Sequence, residues 1–313
     1  MLTQEQIDFF HQNGFLIMRQ LFQGEELRLL KEAVDAVQAQ GVARQGDHHL
    51  YAPGPQGEPV YWRSERIWSR GDIFRAVTVH PDLLEAIGQC VGQAFFPWND
   101  SLVVKLANSG AEVAWHQDPP YGTQWGDTSR TETYPVPNFT TDIYLDHSGP
   151  DNGCVWAIPG HHLVGHVDLS HKTAEQLFTE SGALPLEMEA GDVLFHALST
   201  PHGSRANLSA AQRRIFYIHY LAHEVFAEGY ESTGAEWVKQ KPGWCDMRDS
   251  LIQSMLEARR NLGWEGYEER GTLSYGDGGF LFQQQPTSPP RHWETLRKQL
   301  SPEQYESLRG LKS

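Results

Sequence analysis

Apolar positions in this chain change their spacing near residue 95. Before it they recur at helical intervals. Leu27, Leu30, Ala33, Val34 and Val37 do so between Gly24 and Gln40, and Leu84, Ile87 and Val91 between Pro81 and Val91. Charges occupy the other faces, which predicts two amphipathic helices. Thr3 and Gln6 form a capping-box pattern ahead of Ile7 and Phe10, and Gly14 stops that short helix. Phe15 to Met18 reads as a first strand, and the Gly-, Pro- and His-rich stretch from Gly41 to Val60 as a loop. After residue 95 short apolar runs alternate with turn residues: 101–106, 111–115, 139–145, 154–158, 192–196 and 214–221. Strands at this spacing predict an antiparallel sandwich or barrel. The long segment between His116 and Phe139 has the length of a binding loop or lid. A helix is predicted over 246–262, and Ser301-Pro302-Glu303-Gln304 opens a last one.

The 313 residues, 39% of them hydrophobic, suffice for one large core. The expected organisation is a single domain over 1–313. Its parts are N-terminal helices over 3–91, a β core at about 95–222 and a C-terminal helical extension over 224–313 that offers a surface for a second subunit. A net charge of −15 argues against a nucleic-acid partner. No apolar run reaches the ~20 residues that span a bilayer. The opening residues lack a basic stretch followed by an apolar one. Three scattered cysteines, Cys90, Cys154 and Cys245, fit a reducing, cytoplasmic setting.

His116-Gln117-Asp118 followed by a distant His202 has the composition of a 2-His-1-carboxylate triad, which holds non-haem Fe(II) and leaves open coordination positions. With 15 histidines, about one H-x-D tripeptide arises by chance, and His166-Val167-Asp168 is a second. His202 lies 84 residues beyond Asp118, room for several strands, but only 34 beyond Asp168. His116 also ends an apolar strand, where period-2 geometry points residues 116 and 118 to one face. His166 follows a turn-like stretch instead. His196 is the nearest rival to His202. His219 reads as a core histidine or a support to the site, and His223 as a surface one.

Arg213 stands 11 residues past His202, at the start of an apolar strand. A 2-oxo acid chelating Fe(II) needs a fixed cation for its far carboxylate, and guanidinium matches it with two hydrogen bonds. Ser204 can add a hydroxyl to the same carboxylate, while Arg214 should face the opposite side.

Together, Trp115-His116-Gln117-Asp118, Asp151-Asn152-Gly153-Cys154 through Ile158-Pro159-Gly160-His161-His162, and His202-Gly203-Ser204 with Arg213 resemble the phytanoyl-CoA dioxygenase family. The opening Gln6-x-x-Phe9-Phe10-x-x-x-Gly14-Phe15 adds to the resemblance, which runs from about residue 3 to about 222. It implies a mainly β fold with flanking helices and a double-stranded β-helix (jelly-roll, cupin-like) core. It implies Fe(II) on His116, Asp118 and His202, and 2-oxoglutarate held by Arg213 and Ser204. O2 is the oxidant, ascorbate a stimulant, and the products are succinate, CO2 and a hydroxylated small molecule. The Pro-Gly-x-His stretch is a structural hairpin in the family, which leaves His161 and His162 out of the ligand set. Asp118 argues against halogenation, because halogenases of this kind lack the carboxylate.

Candidate substrate contacts are Gln117, Tyr121, Trp125, Tyr144 and Trp156, although aromatic residues at such places also serve as packing. No basic cluster advertises a coenzyme A phosphate site, so a small polar metabolite or natural-product intermediate is a natural alternative. Two other readings stay open: a cupin-like metal-dependent dioxygenase or isomerase using no 2-oxo acid, and a non-catalytic metal-binding sensor.

Overall fold

A computed structural model describes residues 2–91, 95–108, 112–118, 139–165, 167–222, 244–266, 272–276, 279–283, 296 and 298–310. Helix α1 (Gln4–Asn13) begins with the expected capping box: Gln6 N donates to Thr3 Oγ1 and Thr3 N to Gln6 Oε1. It ends at Gly14, whose φ of 82° lets its N–H reach back to the Phe10 carbonyl. The chain then enters β1 (Phe15–Met18), antiparallel to β9 (Val193–Ala197). Helices α2 (Gly24–Val42), α3 (Asp72–Thr78) and α4 (Pro81–Val91) follow.

Two sheets carry the rest. The larger, nine-stranded among the described residues, has the path β1, β9, β6 (Phe139–Tyr144), β11 (Arg213–Ala222), β4 (Phe95–Lys105), β13 (Gly279–Gln283), β12 (Thr272–Gly276). Strand β3 (Pro59–Glu65) also pairs with β4, and β2 (His49–Pro53) pairs with β3. The smaller sheet runs β5 (Val113–His116), β10 (His202–Ser204), β7 (Val155–Ala157), β8 (Leu184–Leu186). All pairings are antiparallel, and the two sheets make the expected jelly-roll.

Strand alternation divides the large sheet into two faces. Leu102, Val104, Phe216 and Ile218 join Leu30, Val34, Phe74 and Leu84 in a core beneath the helices. The residues between them in sequence face the smaller sheet. There Tyr144, Leu194 and Ile215 pack with Ala157 and Leu186.

The segment from Gly41 to Val60 departs from its expectation as a loop. It supplies β2 and the first two residues of β3, joined by a turn in which Gly57 N bonds to Gly54 O (3.0 Å) and Gly54 N to Glu58 O (2.7 Å). Turn residues hid the hairpin. The N-terminal part is therefore not purely helical. Neither is the C-terminal part. Between α6 (Trp244–Asn261) and α7 (Pro302–Gly310), β12 and β13 extend the large sheet at β4. Short helix α5 (Ala174–Thr179) was also missed in the sequence. Helix α6 packs on α3, with Ile252, Met255 and Leu256 in the main core, and Leu308 of α7 joins Ile158 and Val164. No helix among the described residues is long and apolar enough to cross a membrane.

Candidate metal and co-substrate site

His116 and His202 are direct register partners across β5 and β10, with ring centroids 4.2 Å apart. Asp118 lies just past β5, its main-chain N–H held by Leu198 O at 2.9 Å. One ligand atom from each of His116, Asp118 and His202 falls within 4.8 Å of the others, the one such cluster among the described residues. Both imidazoles are oriented by the backbone two residues upstream: His116 Nδ1 meets Ala114 O (2.8 Å) and His202 Nδ1 meets Thr200 O (2.9 Å). A carbonyl can only accept, so the proton sits on Nδ1 and the Nε2 lone pair is left for a cation.

Electrostatics agree with that assignment. Burial opposes charge on Asp118, but His202, His219, His116 and His196 around it hold its pKa down to about 2. Burial, then His116 and His196, push His202 down to about 3. An ionised acid beside a neutral imidazole is the protonation state that metal binding needs.

The cluster opens on a cavity of about 690 Å³ between the sheets. One part of its wall is apolar, with Val103, Val113, Val155 and Ile215, next to Arg213 and Ser204. Arg213 is buried, and its Nη2 donates to Gly153 O (2.8 Å) while Nε has no partner among the described residues. Nearby, Tyr144 is fully buried with its hydroxyl unpartnered, and burial raises that phenol's pKa. Unpaired buried donors are rare in folded proteins; here Arg213 lines the cavity, and Tyr144 is buried in one cluster with Ile215, another lining residue. A carboxylate suits them, so the donor set fits both an Fe(II) ion and a 2-oxo dicarboxylate. Arg214 faces away, as strand parity requires, and its Nε and Nη2 bond Asp146 (2.8 and 2.9 Å).

Three expected substrate contacts move. Gln117 points out of the cavity: its Nε2 donates to Gly165 O and Ser199 O, and its Oε1 accepts from Val167 N. It is a clamp that fixes the two residues flanking it. Trp156 also faces outward, its ring 5.6 Å from Phe178, because Val155 takes the cavity parity of β7. Tyr144 does not line the cavity; it is buried behind the wall in one cluster with Ile215, which does. Tyr121 and Trp125, the supposed lid between His116 and Phe139, and His166 and His223 lie outside the described residues.

Asp168 is on the surface, bonded to Ser170 (2.6 Å) and ion-paired with His171 (2.8 Å). His161 and His162 bond the carbonyls of Pro159 and His11. His196 lines the cavity, but Nε2 meets Thr140 Oγ1 (2.5 Å) beside Asp142 Oδ2 (3.6 Å) and Nδ1 faces Ala197 O (3.2 Å). The sequence singles out none of Arg63, Glu65, Asn99, Thr140 and Tyr217, which complete the polar wall. The parity that puts Arg213 inside would have found Tyr217 and placed His219 there as well.

Comparison with known proteins agrees with this geometry. A curated methylphosphonate hydroxylase from Gimesia maris is 26% identical over 235 residues, covering 73% of this chain and 83% of that protein. The ectoine dioxygenase of Bordetella bronchiseptica is 22% identical, over 71% of this chain and 76% of its own. Among solved structures, EctD from S. alaskensis with 2-oxoglutarate and 5-hydroxyectoine superposes with a TM-score of 0.58 at 20% identity. That match covers 71% of this chain and 77% of EctD. The profile of the phytanoyl-CoA dioxygenase (PhyH) family matches residues 10–215. The chain therefore belongs to the phytanoyl-CoA dioxygenase family of Fe(II)- and 2-oxoglutarate-dependent oxygenases.

Proposed function

We propose that this protein hydroxylates an unactivated C–H bond of a small-molecule metabolite or natural-product intermediate, with Fe(II), O2 and 2-oxoglutarate. The convergence of His116, Asp118 and His202 within 4.8 Å carries the reading. In this proposal those three side chains hold the ion, with Nε2 of each imidazole turned inward by its Nδ1 bond. Fe(II) held there supplies O2 activation coupled to decarboxylation of 2-oxoglutarate to succinate and CO2, the second oxygen atom going to the substrate. Arg213, Ser204 and Tyr144 bind the far carboxylate, and the valine-lined wall excludes water from its methylenes. The buried free thiols of Cys90 and Cys154 support a reducing compartment such as the cytoplasm.

Purified protein with Fe(II), ascorbate and 2-oxoglutarate should form succinate when challenged with a broad substrate panel. His116→Ala and Asp118→Ala should abolish it. Arg213→Leu should raise half-saturation for 2-oxoglutarate by at least about tenfold, the worth of a charge-assisted hydrogen bond. Turnover without a 2-oxo acid, indifferent to Arg213→Leu, would instead support the cupin-like alternative.

A further inference from the structure

The cavity wall away from Arg213 is built from side chains that hydrogen-bond. Register places Glu65, Ser101, Tyr217 and Asp142 in one row across β3, β4, β11 and β6. Asn99, His219 and Thr140 form the next row. Arg63 and Glu65 come from β3, between β2 and β4, and both line the cavity. Tyr217 and His219 line the same cavity as this pair and the metal cluster.

Arg63 is held in place before anything binds. Its Nη2 donates to Ser101 Oγ (2.8 Å), which donates to Glu65 Oε2 (3.0 Å), and its Nε ion-pairs with Glu65 Oε1. The guanidinium carbon lies 5.0 Å from the Tyr217 ring centre and 5.9 Å from that of Trp62. The group is positioned by the Nη2 hydrogen bond and by the proximity of Glu65, Nε itself making no hydrogen bond among the described residues. Nη1 carries no hydrogen bond among the described residues. About a quarter of each side chain is exposed, 23% for Arg63 and 28% for Glu65. The pair thus presents a fixed positive edge and a neighbouring carboxylate, with no net charge between them. A simple anion or a simple cation would gain from one partner and be repelled by the other. A molecule carrying both charges on neighbouring atoms satisfies both. An acyl chain would strip water from every polar group in the two rows and return no hydrogen bond.

From this arrangement, and resting on the reading of the site as an Fe(II)/2-oxoglutarate centre, we infer that the hydroxylated substrate is a small amino-acid-like zwitterion. Its oxoanion, a carboxylate or a phosphorus oxoacid, docks on Arg63 and its ammonium on Glu65. The pair holds the substrate in place and takes no part in bond breaking.

The test uses protein loaded with Fe(II) and 2-oxoglutarate without oxygen, and follows the visible charge-transfer band of the chelated 2-oxo acid. Probes are α-amino carboxylic acids, α-aminophosphonic acids, the deaminated counterparts of each, and long-chain acyl thioesters. Zwitterions should shift the band and, on admitting oxygen, yield succinate. The carboxylate and phosphorus arms distinguish the oxoanion. Removing the amine should weaken binding by about tenfold. Arg63→Gln should weaken aminated and deaminated probes alike, and Glu65→Gln only the aminated ones, both with the 2-oxoglutarate band retained. A normal band that zwitterions leave unmoved, one shifted best by acyl thioesters, or unchanged half-saturation in both variants overturns this inference alone. Absence of the band in the parent protein overturns the iron and 2-oxoglutarate reading, and this inference with it.

Discussion

Arg213 Nε and Tyr144 Oη are sealed from water with no partner among the described residues, and a folded chain tolerates such atoms only at a cost of roughly 1–3 kcal/mol each. Under the proposed function both would donate to the far carboxylate of 2-oxoglutarate. Tyr144→Phe is therefore expected to leave thermal stability of the ligand-free protein unchanged or up to about 1 kcal/mol better. The same variant should raise the half-saturation concentration for 2-oxoglutarate several-fold, as titration of the charge-transfer band would show. A stability loss without a binding defect would mean that the phenol is only core packing. The sequence showed Tyr144 as an aromatic near the site but not its depth, because position along β6 becomes visible only through its pairing with Ile215. Trp156 shows the opposite limit. In a three-residue strand either parity is compatible with the sequence, and Val155 took the inner one.

At the level of elements, β4 joins the two halves of the structure, touching β11, β3 and β13. Its Asp100 accepts a hydrogen bond from Trp68 N at 2.7 Å, tying the short 3-10 turn over 67–70 to the sheet. Burial raises this carboxyl from its ordinary 3.8 to about 7, against the pull of the Trp68 and Ile67 amides. The folded state then holds a proton that the unfolded chain has released, so the contribution is complete below pH 3.8 and lost as pH rises through about 7. Asp100→Asn keeps the size and an acceptor. Its urea midpoint should exceed the parent's at pH 8 and lose that advantage at pH 4; equal differences at both pH values would refute the assignment. Strands such as β6, β9 and β11 were legible because their apolar runs are continuous or alternate cleanly. The β2–β3 hairpin was not, since Gly54, Pro55 and Gly57 dominate its local signal and its pairing with β4 is a long-range event.

Over the whole molecule, the site is assembled from segments distant in sequence, and this limits what motif spacing alone could reveal. His116, Asp118 and His202 were legible because the family pattern names them and a circuit of strands can join them. The wall made by Arg63 and Glu65 was not, because no spacing rule links residue 63 to residue 118. The N-terminal helix is part of the same assembly. Its terminal glycine, Gly14, accepts hydrogen bonds from Ala197 N (2.9 Å) and Thr200 Oγ1 (2.9 Å), and the Thr200 carbonyl orients His202. Deleting residues 1–14 should thus weaken Mn(II) affinity by at least about tenfold, measured by calorimetry, the usual penalty for losing a group that orients a ligand. Affinity equal to that of the full chain would show that His202 is held without this support.

That short relay from Gly14 to His202 ties readiness for catalysis to chain integrity. A protease that cuts between α1 and β1 would loosen the hold on the metal without touching any of its three ligands.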